Sequence, residues 1–283
     1  MRTSKITVQG IQIDGRSVSG FETAIALPHY NICFDIGGVS HAVKLAENVA
    51  ITHGHFDHMG MVGKHAYLRR MLSMSTSHYI VPPHLAPFVD ETFDFWARAQ
   101  SGRKPPYRTT SVTPGGKVEI GKDRFVTPFD TDHRIDSQGY VLVETRRKLK
   151  AKYHGLPGRE IARLRTQEGE EVMEAFEMPL FAFTGDTRAS IFTPARRKGL
   201  LALKAKVLMV ECTFFGDVTV AEANERGHVH IDQLAENARA FKDTGTVVLC
   251  HFSKRYKNAD VEAAIKTLPK SLREKTTFLP LDK

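Results

Sequence analysis

Cysteine is scarce in this 283-residue chain: Cys33, Cys212 and Cys250 are the whole set, and no two form a CxxC pair. An odd number without paired spacing argues against a disulfide framework, so a reducing compartment, the cytoplasm, is expected. Long apolar runs are missing as well. Nowhere does the chain hold the stretch of about twenty apolar residues needed to cross a bilayer, and the opening segment from Met1 to Gly10 lacks an apolar signal core. Neither secretion nor a membrane role is therefore expected. Short-period repeats and low-complexity tracts are also absent.

Histidine is concentrated instead. Residues 52 to 58 read Thr52, His53, Gly54, His55, Phe56, Asp57, His58, an HxHxDH run directly behind apolar Val49, Ala50 and Ile51. On an extended segment alternate side chains share a face, so His53 and His55 can meet one divalent ion. Asp57 and His58 lie where the chain is expected to turn into a helix, and so face a second position. The donor set suits zinc best, with manganese or iron able to use the same ligands. A two-metal hydrolase is the first reading, a surface histidine cluster the bland one.

A dinuclear site needs ligands from elsewhere, and three apolar runs end in them. His133 follows Phe125 to Phe129, Asp186 follows Leu180 to Thr184 in a Gly185-Asp186-Thr187 turn, and His251 follows Val247 to Cys250. Loops at strand exits commonly carry chemistry on a rigid scaffold. Each residue alone has an equally good structural role. Together they complete three ligands per metal, with one carboxylate between.

Length and a 41% hydrophobic content permit a substantial core. Strand-like runs cover Ile6 to Ile13, Glu22 to Leu27, Ile32 to Asp35, Tyr79 to Val81, Tyr140 to Glu144, Val207 to Glu211 and Thr277 to Leu279. Helices are expected near Ala66 to Leu72, Ala86 to Ala99, Gln233 to Lys242 and Asp260 to Leu268. Without a regular βαβ alternation, this α/β pattern predicts sheets covered by helices in one domain over residues 1–283.

The charge is uneven. Between Arg146 and Arg165 eight cationic residues face one carboxylate, a local +7 in a chain of net +8. Arg146, Arg147, Lys148, Lys150 and Lys152 head this run, with Gly155, Pro157 and Gly158 in its middle. It reads as a projecting basic arm, taken as residues 146–172, that can track RNA phosphates. The alternative is an ordinary solvated charge run.

These residues resemble the metallo-β-lactamase superfamily through HxHxDH, His133, Gly185-Asp186-Thr187 and His251. Within it they resemble ribonuclease Z, the tRNA 3′-processing endoribonuclease. The narrower likeness rests on Gly139-Tyr140 after His133, on Glu211-Cys212-Thr213-Phe214, on His228 with Gln233 and Ala235 behind it, and on His251-Phe252-Ser253-Lys254-Arg255-Tyr256. Gly227-His228-Val229-His230 is similar to the short form found in plants. The resemblance implies an αββα sandwich with metals at one edge and a short inserted basic arm. It implies two divalent ions, His53, His55 and His133 on one, Asp57, His58 and His251 on the other, and Asp186 on both.

Further roles follow from the same likeness. Asp57 would orient or deprotonate water, and His228, held by Glu211, would protonate the leaving ribose oxygen. Precursor tRNA is the implied substrate and a homodimer the implied assembly. The bland alternative makes Glu211 a surface acid and His228 a helix cap. His230 departs from the family's threonine, and a structural role is expected for it. His154, Trp96, Arg103 and Lys104 are candidate RNA contacts with equally good structural readings, and no PxKxR-type loop is found. A thioester hydrolase of the glyoxalase II type and a non-catalytic RNA-binding module are the rival readings.

Overall fold

The computed structural model describes residues 3–100, 102–167, 169 and 171–281. Met1 and Arg2 of the opening segment, Glu168 and Glu170 of the expected arm, and the last two positions of the 1–283 domain lie outside the described residues. The first half contributes β1 (Ser4–Val8), β2 (Ile11–Val18), β3 (Glu22–Leu27), β4 (Ile32–Phe34), β5 (Asn48–Ala50), β6 (Ser77–Val81) and β7 (Tyr107–Ser111). The second contributes β8 (Val118–Gly121), β9 (Arg124–Asp130), β10 (Gln138–Leu149), β11 (Met173–Phe183), β12 (Val207–Glu211), β13 (Thr246–Cys250) and β14 (Thr276–Phe278). Helices are α1 (His41–Leu45), α2 (Phe56–Met59), α3 (Val62–Met71), α4 (Ala86–Ala99), α5 (Gly158–Thr166), α6 (Val220–Glu225), α7 (Ile231–Glu236), α8 (Asn258–Lys266) and α9 (Lys270–Arg273).

The strands form two mixed seven-stranded sheets, each ordered as in the chain. In each, four strands pair antiparallel and the remaining neighbours pair parallel, β4 to β7 in one and β11 to β14 in the other. The halves thus repeat one plan. Between the sheets lies a layer built from Ile25, Phe34 and Ile80 on one side and Tyr140, Phe181 and Met209 on the other. Phe34 stacks on Phe181 with ring centres 5.3 Å apart. The outer face of the first sheet is covered by α1, α3 and α4 through Val43, Val62 and Phe93. That of the second is covered by α7, α8 and α9 through Leu234, Val261 and Leu272. Both faces of each sheet are thereby apolar, and the layering is α/β/β/α.

Several sequence expectations shift. Ile6 to Ile13 is a hairpin, not one strand: the chain reverses at Gln9 and Gly10, both with positive φ. Ile6 and Val8 alternate in one arm and Ile11 and Ile13 in the other, and the only mark of the turn in the pattern is the three-residue step across Gln9-Gly10. Gln233 to Lys242 splits into α7 and a 3₁₀ turn at Ala238–Phe241. β7 and β8 were not expected at all, because their residues are short, polar and half exposed.

β10 also runs to Leu149, beyond the expected Glu144. From Thr145 to Leu149 it pairs only with Met173 to Glu177 of β11, a two-stranded ribbon closed by a 3₁₀ turn at Ala151–Tyr153 and by α5. The ribbon's charge is more balanced than the run from Arg146 to Arg165 suggests. Carried to residue 172, the segment holds eight cations against four carboxylates, net +4. Arg146 pairs with Glu144, Arg147 with Glu171 and Lys148 with Glu174. Glu144 precedes the run on β10, and Glu171 and Glu174 follow it on the returning side, so all three lie outside the window from Arg146 to Arg165.

His65 makes the helical layer over the first sheet acid-sensitive. Its Nε2 donates to the Ala46 carbonyl at 3.1 Å and its Nδ1 faces the Tyr79 hydroxyl at 2.9 Å. Burial, with Arg69 beside it, pushes its pKa down to about 4. The folded state therefore stays neutral while the unfolded chain protonates, so the contribution is complete above about pH 6.5 and is lost as pH falls towards about 4. Urea midpoints measured across that window should fall less for His65→Gln than for the wild type, by up to ~3 kcal/mol between the ends. A pH-independent difference between the two proteins would assign the acid sensitivity elsewhere.

Candidate metal centre

The parallel strands of both sheets deliver their carboxyl ends to one edge. β5 leads into His53 to His58, β11 into Asp186, β12 ends at Glu211, and β13 leads into His251. His133 arrives from the loop after β9. The edge is tied across the sheets: Gln138 N–H donates to the Thr52 carbonyl (3.1 Å) and Ser19 N–H to that of Phe252 (3.1 Å). The Tyr140 hydroxyl lies 2.9 Å from the Ile51 carbonyl and 3.2 Å from that of Ile80, and accepts from Gln138 Nε2 at 2.7 Å. Gly185 has φ +59, and a Cβ there would lie 2.7 Å from Thr52, so only glycine lets the Asp186 turn close on the histidine loop.

The seven expected ligands come together. His53 Nε2 is 3.0 Å from His55 Nδ1, which is 3.3 Å from His133 Nε2. Asp186 Oδ2 stands 3.7 Å from His53 Nε2 and 3.9 Å from His133 Nε2. Its other oxygen, Oδ1, stands 3.3 Å from His58 Nε2 and 3.2 Å from His251 Nε2, with Asp57 Oδ2 3.6 Å from His58 Nε2. Two donor groups match the expected pair, one of His53, His55, His133 and Asp186, the other of Asp57, His58 and His251; a third, Asp186 with His228 and His251, overlaps them. Asp186 faces both.

Hydrogen bonds at the far ring nitrogens set which atom of each imidazole faces inward. His58 Nδ1 donates to Asp35 Oδ2 at 2.6 Å, His133 Nδ1 to the Gly227 carbonyl at 2.8 Å, and His251 Nδ1 to Thr23 Oγ1 at 3.1 Å. His53 Nδ1 donates to Thr52 Oγ1 at 2.9 Å, and that hydroxyl donates to Asp35. Four Nε2 lone pairs are thus turned to the centre. The Gly20 amide donates to Asp57 Oδ2 at 2.8 Å and orients that carboxylate.

The residues fit a pair of cations. His58 Nε2, His251 Nε2 and Asp186 Oδ1 are buried and have no hydrogen-bond partner among the described residues, which is expensive unless a positive charge is meant to face them. Nitrogen separations of 3.0 and 3.3 Å are close to the edge of a tetrahedron with ~2.0 Å zinc–nitrogen bonds, about 3.3 Å. Burial holds His53 well below, and His55 and His133 below, the usual histidine range, so these rings are neutral donors. Burial opposes charge on His58 too, yet the Asp186 and Asp35 carboxylates override it and raise its pKa well above normal. A cation bound there would displace a proton. Burial likewise disfavours the Asp186 carboxylate, but the His251 and His58 imidazoles hold it well below the usual range. The whole is a His/Asp cluster of the kind that holds a binuclear metal site.

Beside it, Glu211 and His228 meet as expected and not as a surface acid and a cap. His228 Nδ1 donates to Glu211 Oε1 at 3.0 Å, and lies 3.9 Å from Asp186 Oδ2. Glu211 also accepts from Thr187 N–H, Thr213 N–H and the Thr213 hydroxyl. Burial opposes a charged His228, but the Glu211 carboxylate raises its pKa above normal. The cap is His230 instead: it opens α7, with its Nδ1 accepting from Asp232 N–H at 3.2 Å.

The remaining candidates sit apart. His154 donates to the Leu149 carbonyl within the ribbon and Lys104 pairs with Asp94. Phe93 is core, whereas Phe88, Phe95 and Trp96 are exposed on α4. Cys33, Cys212 and Cys250 are free and buried, and burial raises each thiol well above its ordinary range. Sequence reasoning missed Asp35, Thr52, Thr23 and Gly20. Asp35 carried the same signal that revealed Asp186, an acid at the exit of an apolar strand, but without a second motif to mark it.

No family model matches the chain. It is 35% identical over 266 residues to tRNase Z TRZ1 of Arabidopsis thaliana, covering 94% of this chain and 93% of the relative. It is 32% identical to tRNase Z TRZ2, chloroplastic, of the same plant, over 95% of this chain and 75% of the relative. Among solved structures, the short form of human tRNase Z superposes with a TM-score of 0.62 at 17% identity, covering 94% of each chain. The metallo-β-lactamase fold protein YhfI of Bacillus subtilis also superposes at 0.62, with 14% identity and 94% of each chain covered. The solved structures share the fold, and the identity to the two relatives over nearly the whole sequence places the chain in the ribonuclease Z family of the metallo-β-lactamase superfamily.

Proposed function

We propose that the protein is a metal-dependent endoribonuclease that removes the 3′ trailer of precursor tRNA. The observation that carries this reading is the buried Glu211–His228 pair set against a two-cation cluster. Hydrolysis of a phosphodiester needs electrophilic help at the phosphate and a proton for the departing alkoxide. His53, His55 and His133 would hold one ion, Asp57, His58 and His251 the other, and Asp186 both, with zinc the best match and manganese the alternative. When bound, two such ions lower the pKa of a water and neutralise charge growing on the phosphate oxygens.

The chain's own groups do the rest. Asp57, with one oxygen held by the Gly20 amide, orients the attacking water and accepts its proton. His228 gives the Nε2 proton to the ribose O3′, while Glu211 holds Nδ1 and keeps the imidazolium populated. The bond from phosphorus to O3′ breaks, leaving a 3′-hydroxyl on the tRNA and a 5′-phosphate on the trailer. The ribbon cations Arg146, Arg147, Lys148, Lys150 and Lys152 would grip the RNA backbone. A homodimer fits the open apolar depression of about 770 Å³ beside the metal edge, rimmed by Phe56, Phe88, Phe95 and Trp96. Three free thiols suit a cytoplasmic setting.

Trailer-bearing precursor tRNA, S-lactoylglutathione and a chromogenic β-lactam, assayed in parallel with and without chelator, separate this reading from its rivals. Cleavage of the precursor alone, abolished by chelator and restored by zinc or manganese, is expected. Preferred thioester turnover would replace the proposal with a glyoxalase II-type activity.

His228→Ala should lower turnover by roughly 10²- to 10⁴-fold with metal content unchanged; loss of metal would make His228 a ligand. Glu211→Gln should move the basic limb of the rate profile to lower pH, because the acid form of His228 survives only below its pKa and the carboxylate is what raises it. Reversing Arg146, Arg147 and Lys148 to glutamate should raise KM and flatten its salt dependence. An unaltered salt slope would remove the ribbon from RNA binding.

A further inference from the structure

The second charge concentration of this protein lies away from the ribbon, in a depression of about 830 Å³ on the helical face of the second sheet. Its floor is aliphatic, with Leu200, Leu203 and Ala240, and its rim is cationic. Six lysines and arginines face it against one carboxylate, Asp243. Two of the six are engaged. Lys275 Nζ donates to the carbonyls of Phe241, Lys242 and Thr244, closing the 3₁₀ turn, and Lys242 pairs with Asp243. Arg197, Lys198, Lys204 and Arg239 have no ion-pair or hydrogen-bond partner for their side chains among the described residues.

Arginines nearby do find partners. Arg188 and Arg196 both bind Asp132, one residue before His133. Four uncompensated cations around a concave surface repel one another, and the concavity focuses their field. The pocket also communicates with the metal edge. It shares Lys198, Gly199 and Leu200 with a neighbouring depression, which shares Pro114 and Asp130 with the one containing His133 and Arg134. The connecting stretch is mixed in charge, with Asp130, Asp132 and Asp136 beside Arg134 and Arg196, so uncompensated positive charge concentrates at the far end.

We propose that Arg197, Lys198, Lys204 and Arg239 form a second phosphate clamp, which binds the backbone of the RNA substrate at a distance from the cleaved bond. The proposal rests on the RNA-cleavage reading above. A polyanion with regularly spaced phosphates can engage several rim cations while its end lies at the metal edge. Rim cations on long side chains over an aliphatic floor suit a backbone read by charge and not by base sequence.

The test uses the metal-loaded protein and a precursor tRNA with a methylphosphonate at the junction, so that binding is read without cleavage. Arg197→Gln, Lys204→Gln and Arg239→Gln together should raise Kd about tenfold and reduce the slope of log K against log salt by about two. A control carrying the same loss of charge elsewhere, Arg98→Gln, Arg108→Gln and Lys122→Gln, should bind as the wild type does. Equal weakening of both triples would reduce the clamp to diffuse charge, and unchanged Kd in the first would remove it. Phosphatidylserine vesicles run in parallel would overturn it if the first triple lost vesicle binding but kept RNA binding. A wild type that binds the precursor yet never cleaves its unmodified form sinks the function and leaves the clamp testable. Cleavage by the wild type with RNA binding intact in the first triple sinks the clamp alone.

Discussion

Asp35 is a fully buried carboxylate that ligates nothing, and the rest of the metal edge depends on it. It accepts a hydrogen bond from His58 Nδ1 directly and another from the Thr52 hydroxyl that holds His53 Nδ1, while the Thr52 amide also donates to it. Burial drives its pKa upward and these same hydrogen bonds restrain it. The result is that one imidazole from each donor group presents its Nε2 inward without rotational choice. Histidines free to flip would divide their lone pairs between two directions, and a cation pair would find half its ligands at any moment.

The position of Asp35 is itself dictated by the doubled sheet plan. It leaves β4 with a φ of 58°, and His251 leaves β13 with a φ of 60°. Both are non-glycine residues in the left-handed region, which costs about 1–2 kcal/mol each, and both sit where a parallel strand reaches the same edge. The strain is held by the interior behind it. Tyr140 spans to the Ile51 and Ile80 carbonyls, and the Phe34 and Phe181 rings stack between the sheets. A loosely joined pair of sheets would leave the two ligand groups at an undefined separation.

Charge is organised on a different principle from the site. Buried charges at the edge are matched oxygen to nitrogen over 3–4 Å, whereas the cations of the ribbon are largely answered by glutamates. Exposed pairs of that sort contribute little to stability, about 0–1 kcal/mol each. They do reduce the free positive charge that a linear count suggests. Of the four unanswered cations around the depression on the second sheet, Arg197, Lys198 and Lys204 are near neighbours in the chain, and only the fold brings Arg239 to them.

Much of the site was legible beforehand for a definite reason. Metal ligands demand histidine and aspartate at strand exits, and those residue types are rare enough there that HxHxDH, His133, Asp186 and His251 declare themselves. The Glu211–His228 pair was legible by resemblance, whereas His230, expected only to be structural, needed the fold to show it as the cap of α7. Asp35, Thr52 and Thr23 were not legible, since a hydrogen bond to the back of an imidazole requires only a common polar residue at the right place. The hairpin at Gln9-Gly10 and the length of β10 escaped for a related reason: periodicity records which face a residue takes and marks a reversal at most by a break in step. The linear order of residues by itself determined the donor chemistry and the layered α/β architecture, both properties of composition and local pattern. Only the tertiary structure decided which nitrogen each ring presents, how the ribbon's charge is neutralised and where cations remain unpaired, because those depend on distances between residues far apart in the chain.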